Sequence, residues 1–187
     1  MGRSVMQVYV KEHTYIYFAV LLFFVPVSWL FAWLVAVSFH ELCHWLSVRL
    51  FGGTVYSLTI GITGANMVCE TLSNGKQLLS VLSGPLGGFL LVFTANWFPR
   101  IAICSWILSV YNLLPLLPLD GGRALQILLK NHRSYYVIEK VALIAISLCA
   151  VYLAINLRFG ILPVVAVVGL WLKNRKRPCK ESVCKLQ

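Results

Sequence analysis

The sequence predicts an all-α polytopic membrane protein of about six transmembrane helices, with a small β-hairpin after the second. Three observations lead there. Of 187 residues, 59% are hydrophobic and only 12% are charged, whereas a soluble domain carries about a quarter charged. Several windows reach the roughly 18 apolar residues that a spanning helix needs. Between these windows, prolines, glycines and polar residues leave short connections and no room for a sizeable soluble domain.

Residues 1–13 carry Arg3 and Lys11 and read as cytosolic. A first helix fits from about Glu12 to Val25, with the amphipathic VMQVYV before it as an alternative start, and Pro26 interrupts it. A second runs from about Val27 to Phe51, and Gly52-Gly53 ends it, as glycine past a helix end commonly does. The stretch TVYSLTIGITGANMVCE, residues 54–70, is rich in Val, Thr, Ile and Tyr, with Gly61 and Gly64 inside it. That composition reads as short strands and a turn. Asn74-Gly75 is a further turn signal. A third helix fits Lys76 to Trp97, before Pro99-Arg100. The fourth apolar segment, Ile101 to Leu129, is broken inside by Pro115, Pro118 and Gly121-Gly122. After a polar loop at 131–134, a fifth helix fits Tyr135 to Asn156 and a sixth Gly160 to Leu172. The expected organisation is a membrane domain over 1–172 and a basic cytosolic tail over 173–187. A secretory signal is not expected, because the first apolar stretch exceeds the roughly 7–15 residues of a signal's apolar region.

The net charge of +10 does not point to nucleic acid. Six of the sixteen Lys and Arg residues follow Leu172, and most others flank apolar spans. With an even number of spans, Arg3, Lys11, Arg49, Lys76, Lys130, Arg133 and the tail fall on one side, and only Arg100 and Arg158 on the other. The positive-inside tendency makes the first side the cytosol, with both termini there. The basic tail is also suited to touching anionic lipid. None of the six cysteines shows metal-finger spacing.

One apolar span carries chemistry. Ser38 to Leu46 reads SFHELCHWL. On a helix, His40 and His44 share a face about 6 Å apart along the axis, so both imidazoles can reach one ion. Glu41 beside the first histidine is placed as a general base, which is the metalloprotease pattern His-Glu-x-x-His. The plain alternative is a hydrogen-bonding network between helices. Ionisable groups at mid-membrane cost on the order of 2.5–3.5 kcal/mol and usually mark a site.

A catalytic zinc usually takes three protein ligands. By position, Glu70, Asp120 and Glu139 are the carboxylates available for the third place. Depth separates them. Counted from Arg49 at 1.5 Å per residue, His40 lies about 13–14 Å and His44 about 8 Å inside. Counted from Lys130, Asp120 lies about 15 Å inside. Asp120 also follows Asn112-Leu-Leu-Pro115-Leu-Leu-Pro118-Leu, which cannot form a regular helix. Irregular backbone at membrane depth is tolerated where protein buries it or a wet cavity borders it.

The two motifs together, His40-Glu41-Leu42-Cys43-His44 and Asn112 to Gly122, resemble the site-2 protease family of intramembrane zinc metalloproteases. The stage IV sporulation protein FB branch is the most similar, with Gly52-Gly53-Thr54-Val55 and Ser83-Gly84-Pro85-Leu86 also alike. The resemblance covers most of residues 35–130. It implies one Zn2+ per chain on His40, His44 and Asp120, Glu41 as general base and Asn112 as a substrate-binding residue. It implies hydrolysis of peptide bonds in or near the spans of membrane-tethered proteins, with a pro-sigma or anti-sigma factor as one kind of substrate. A bacterial cell membrane is the expected location. That branch carries a nucleotide-sensing domain after its last span, where this chain has only residues 173–187.

A helical substrate must unwind to expose a carbonyl, and the strand-like stretch 54–70 offers an edge for it to pair with. Ser83-Gly84-Pro85 and Gly87-Gly88 read as a close helix–helix contact. Two other classes compete: a divalent-metal transporter, which should spread its ligands over several helices, and a scaffold that binds membrane proteins without cutting. Glu41 favours the protease, because neither alternative needs a base there. The oligomeric state is not legible.

Overall fold

The computed structural model describes residues 7–10, 22, 24–61, 64–69, 72–129 and 132–156. The expected first helix falls almost wholly, and the sixth helix and basic tail wholly, outside these residues, as does Glu70. In order, the described elements are β1 (Gln7–Val10), α1 (Val27–Leu50), β2 (Val55–Gly61), β3 (Gly64–Cys69), α2 (Asn74–Val92), α3 (Pro99–Asn112), α4 (Asp120–Leu128) and α5 (His132–Asn156). They fall into two compact units that divide between Asn112 and Leu113.

In the first unit, α1, α2 and α3 pack on one another pairwise. Small residues permit the close approach. Ala32 and Ala36 of α1 meet Cys104 and Leu108 of α3, and Gly88 of α2 lies against Ser105 and Ser109. The Ser105 hydroxyl donates to the Gly88 carbonyl at 2.9 Å. Around α1 the buried positions Ala32, Ala36 and His40 recur every four residues, and so do the exposed Leu42, Leu46 and Leu50. A 3.6-residue turn therefore gives the helix one inward stripe and one face suited to lipid.

The end of α1 is built by Gly52 and Gly53. Gly52 has φ +83°, a conformation that glycine adopts without steric cost. Gly52 N donates to Arg49 O at 3.0 Å and Gly53 N to Val48 O at 2.9 Å. This is a Schellman closure, which satisfies carbonyls left over at a helix end. Lys76 Nζ adds a bond to Phe51 O at 3.4 Å. The chain then enters β2, where Val48, Val55 and Cys69 form a small core with Trp45 and Leu72 packed against it.

β2 and β3 pair antiparallel, from Val55 opposite Cys69 to Gly61 opposite Gly64, with a register shift between Val55 and Ser57. β1 pairs parallel to β2, Gln7 opposite Ser57 through Val10 opposite Ile60. The sheet order is β1-β2-β3. The alternative helix start over VMQVYV is thus corrected: Gln7–Val10 is extended, because the long-range ladder to β2 supplies its backbone partners.

Among the described residues, three helices are long and apolar enough to cross a membrane: Val27–Leu50, Asn74–Val92 and Ser134–Tyr152. The expected fourth segment is divided into the 14 residues of α3 and the 9 of α4. The break at 113–119 contains Pro115 and Pro118, which have no amide to continue a helical ladder.

In the second unit, Leu116, Leu119 and Leu143 form a buried cluster joined by Leu114, Ala142 and Ile146. It fastens the broken segment to α5.

Candidate active site

His40 and His44 lie on the inward stripe of α1. Their Nε2 atoms are 3.2 Å apart, and the rings meet edge to face with centroids 4.8 Å apart. His40 is buried, at 3% exposure, and His44 is half-buried. Nδ1 of His44 lies 2.8 Å from the carbonyl oxygen of Ser80 on α2. A carbonyl only accepts, so this bond places the proton on Nδ1 and leaves the Nε2 lone pair for a ligand.

The α2 surface is cut to receive that ring. A Cβ on Gly84 would stand 2.6 Å from Cε1 and 2.7 Å from Cδ2 of His44, and closer still to Nε2. A Cβ on Gly87 would collide with the Cys43 thiol. Serines close the remaining polar groups. The Ser47 hydroxyl donates to His44 O at 2.8 Å and lies 2.9 Å from both Ser80 Oγ and Ser83 Oγ. Ser83 Oγ also bonds to Cys43 O at 3.1 Å and to Ser80 O at 2.7 Å. Pro85 withholds one amide from the ladder of α2 beside this turn. The stretch expected to serve close helix packing therefore does so, and it also seats and orients His44.

The pair meets a geometric test for zinc. Two nitrogens bound at 2.0–2.1 Å around a tetrahedral ion stand about 3.3–3.4 Å apart. The observed 3.2 Å separation is close to that edge. Glu41 follows His40 directly and is half-buried, so its carboxylate is carried on the same turn of α1.

The ends of α1 carry two cation–π contacts. Arg49 lies 5.7 Å from the centroid of Trp45, and Arg100 lies 5.9 Å from that of Trp29. Trp and Arg are residues of membrane–water interfaces. The sixteen residue steps from Trp29 to Trp45 span about 24 Å. The histidine pair sits just inside the Trp45 end.

Asn112 is the last residue of α3, and its Nδ2 donates to Leu108 O at 3.1 Å. That bond orients the side-chain amide on its own helix.

In the second unit, Asp120 is the first residue of α4 and is 7% exposed. A Cβ on Gly121 would lie 2.6 Å from Leu114 O, and one on Gly122 would lie 2.6 Å from Leu116 O and Leu117 N. Only glycine lets the broken segment fold back against the first turn of the helix that Asp120 opens. Glu139 was one of the carboxylates available by position for a ligand role. It is 3% exposed, and its Oε1 accepts the Leu117 amide at 3.3 Å.

Residues 94–155 match the model of peptidase family M50, a stretch that includes Asn112, Asp120 and Glu139 and leaves out His40 to His44. A zinc metalloprotease of Methanocaldococcus jannaschii is 25% identical over 122 aligned residues, covering 58% of this chain and 36% of that protein. The chain thus spans little more than a third of the length of the curated relative it matches. The fold is similar to the solved site-2 protease from Methanocaldococcus jannaschii, with a TM-score of 0.64, 17% identity, and 97% of this chain and 96% of that chain covered.

Proposed function

We propose that this chain is a zinc-dependent intramembrane endopeptidase of the M50, or site-2 protease, type. The observation that carries the reading is the histidine pair: two Nε2 atoms 3.2 Å apart, one of them set to its ligating tautomer by the Ser80 carbonyl. The likeness in fold and the family match over Asn112 to Asp120 support it.

His40, His44 and Asp120 would hold one zinc ion, Asp120 being the one carboxylate that the sequence puts at the depth of the histidines. Bound zinc supplies Lewis acidity, polarising a carbonyl and lowering the pKa of water to about 7. Glu41 takes a proton from the attacking water and passes it to the amine nitrogen as the peptide C–N bond breaks. Asn112, its amide oriented by Leu108 O, would hold the substrate near the reacting carbonyl. β3 is an edge strand of the sheet and would pair with an unwound substrate through its backbone. The substrates would be single-span or membrane-tethered proteins, a pro-sigma or anti-sigma factor among them. The membrane would be a bacterial cell membrane with both termini cytosolic.

Proteolysis in proteoliposomes tests the reading. Wild-type chain, Glu41→Gln and chelator-treated chain are each reconstituted with a panel of single-span proteins. The expected result is fragments ending in or near the span, absent with Glu41→Gln and with chelator, and restored by zinc. Cleavage that persists in Glu41→Gln, or no cleavage across the panel, contradicts it.

A further inference from the structure

We propose that Glu139 is a positioning residue that sets where Asp120 stands, by holding the backbone of the broken segment before it. The inference rests on the reading of Asp120 as a metal ligand.

The residues at 113–119 have few ways to satisfy their backbone. Pro115 and Pro118 have no amide. Leu116 N bonds to Leu114 O at 2.7 Å and Leu119 N to Leu116 O at 2.9 Å, both within the segment. Leu117 N instead goes to Oε1 of Glu139 on α5. That bond and the Leu116–Leu119–Leu143 cluster tie the segment to one face of α5, since Glu139 and Leu143 are one turn apart. Asp120 follows Leu119 directly. The backbone of 113–117 lies hard against Gly121 and Gly122, so a shift of Leu117 is passed to the first turn of α4.

Glu139 lies within the candidate span Ser134–Tyr152 and is 3% exposed. Placing an ionisable group there is costly, which marks such groups as functional by default. Lys140 beside it is exposed, so the pair is not simply a polar patch at a helix end. A carboxylate is a strong acceptor for a backbone amide, and the length of the glutamate side chain is what brings Oε1 to Leu117.

Two conservative variants separate reach from charge. Glu139→Gln keeps an oxygen at the same reach without charge. Glu139→Asp keeps the carboxyl group and withdraws it by one methylene. Zinc affinity is measured by chelator competition, and cobalt in place of zinc reports ligand geometry through its visible absorption. The expectation is that Glu139→Gln binds zinc within about twofold of wild type, and that Glu139→Asp loses about tenfold or more with an altered cobalt spectrum, as outer-shell changes do at metal sites. Thermal unfolding of the metal-free proteins should differ little between the two.

Hydrogen exchange on the metal-free wild type gives a readout that needs no variant: the Leu117 amide should be protected. Unaltered zinc binding in Glu139→Asp, equal loss in both variants, or free exchange of that amide overturns the inference. With Asp120→Ala measured alongside, the two levels separate. If that variant loses zinc while Glu139→Asp does not, only the role of Glu139 fails. If Asp120→Ala binds like wild type, the ligand assignment fails and this inference with it.

Discussion

Replacing Gly84 by alanine should damage metal binding although residue 84 carries no ligand. The new Cβ would stand 2.6 Å from Cε1 and 2.7 Å from Cδ2 of His44. Carbon atoms in contact rest at about 3.5–4.0 Å, so the ring must retreat by about 1 Å. Ligand distances at a metal site hold to about 0.2 Å, so that displacement is several times what coordination tolerates. Retreat also stretches the 2.8 Å bond from Nδ1 to Ser80 O, which fixes the tautomer. If α2 moves instead of the ring, the serine contacts among Ser47, Ser80 and Ser83 are lost. Either way Gly84→Ala should lower stability by about 1–3 kcal/mol, as overpacking does. It should also lower zinc affinity by about 10–100-fold. Chelator competition and thermal unfolding in detergent measure both. Gly75→Ala is the control. Nothing lies within 4 Å of a Cβ there, and the change should be neutral or stabilising by up to about 1 kcal/mol. Wild-type zinc affinity in Gly84→Ala would refute the reasoning, because His44 would then not be held where the structure has it.

Three further outcomes are expected. Glu41→Gln should lower peptide hydrolysis by about 10²–10⁴-fold while retaining zinc, checked by cleavage assay and metal analysis on the same preparation. Cys43→Ala should leave zinc content unchanged, because that thiol lies against Gly87 of α2; a loss of zinc would make sulfur a ligand. Gly121→Ala should cost about 3 kcal/mol or more, seen in thermal unfolding, because its Cβ would meet the Leu113 and Leu114 carbonyls, which are backbone and cannot swing aside.

What the sequence made legible were the features governed by local rules. The spacing of His40 and His44 forces them onto one helix face, and their Nε2 atoms are found 3.2 Å apart. Gly52-Gly53 ends α1 by a closure that depends only on neighbouring residues. Pro115 and Pro118 mark the break between α3 and α4. What was hidden depends on long-range partners. Gly84 read only as a small residue of a helix contact and Ser80 was not singled out, because nothing local says that a histidine 36 positions away from Ser80 will bond to its carbonyl. Gln7–Val10 read only as an alternative start of the first helix, not as a strand, because its partner strand lies some fifty residues on. Glu139 read as a charge near a helix start, beside Lys140. Which of two adjacent charges turns inward is decided by the packing of the broken segment on α5, where Glu139 meets Leu117.

Zinc bound per chain is the decisive measurement for a site of three ligands, His40, His44 and Asp120, served by Glu41 as base. Wild type, Glu41→Gln and Asp120→Ala are purified under identical conditions, their folding checked by circular dichroism, and their zinc content determined. One zinc per chain is expected in wild type and in Glu41→Gln, and a large loss in Asp120→Ala. Zinc absent from folded wild type, or undiminished in Asp120→Ala, would contradict it.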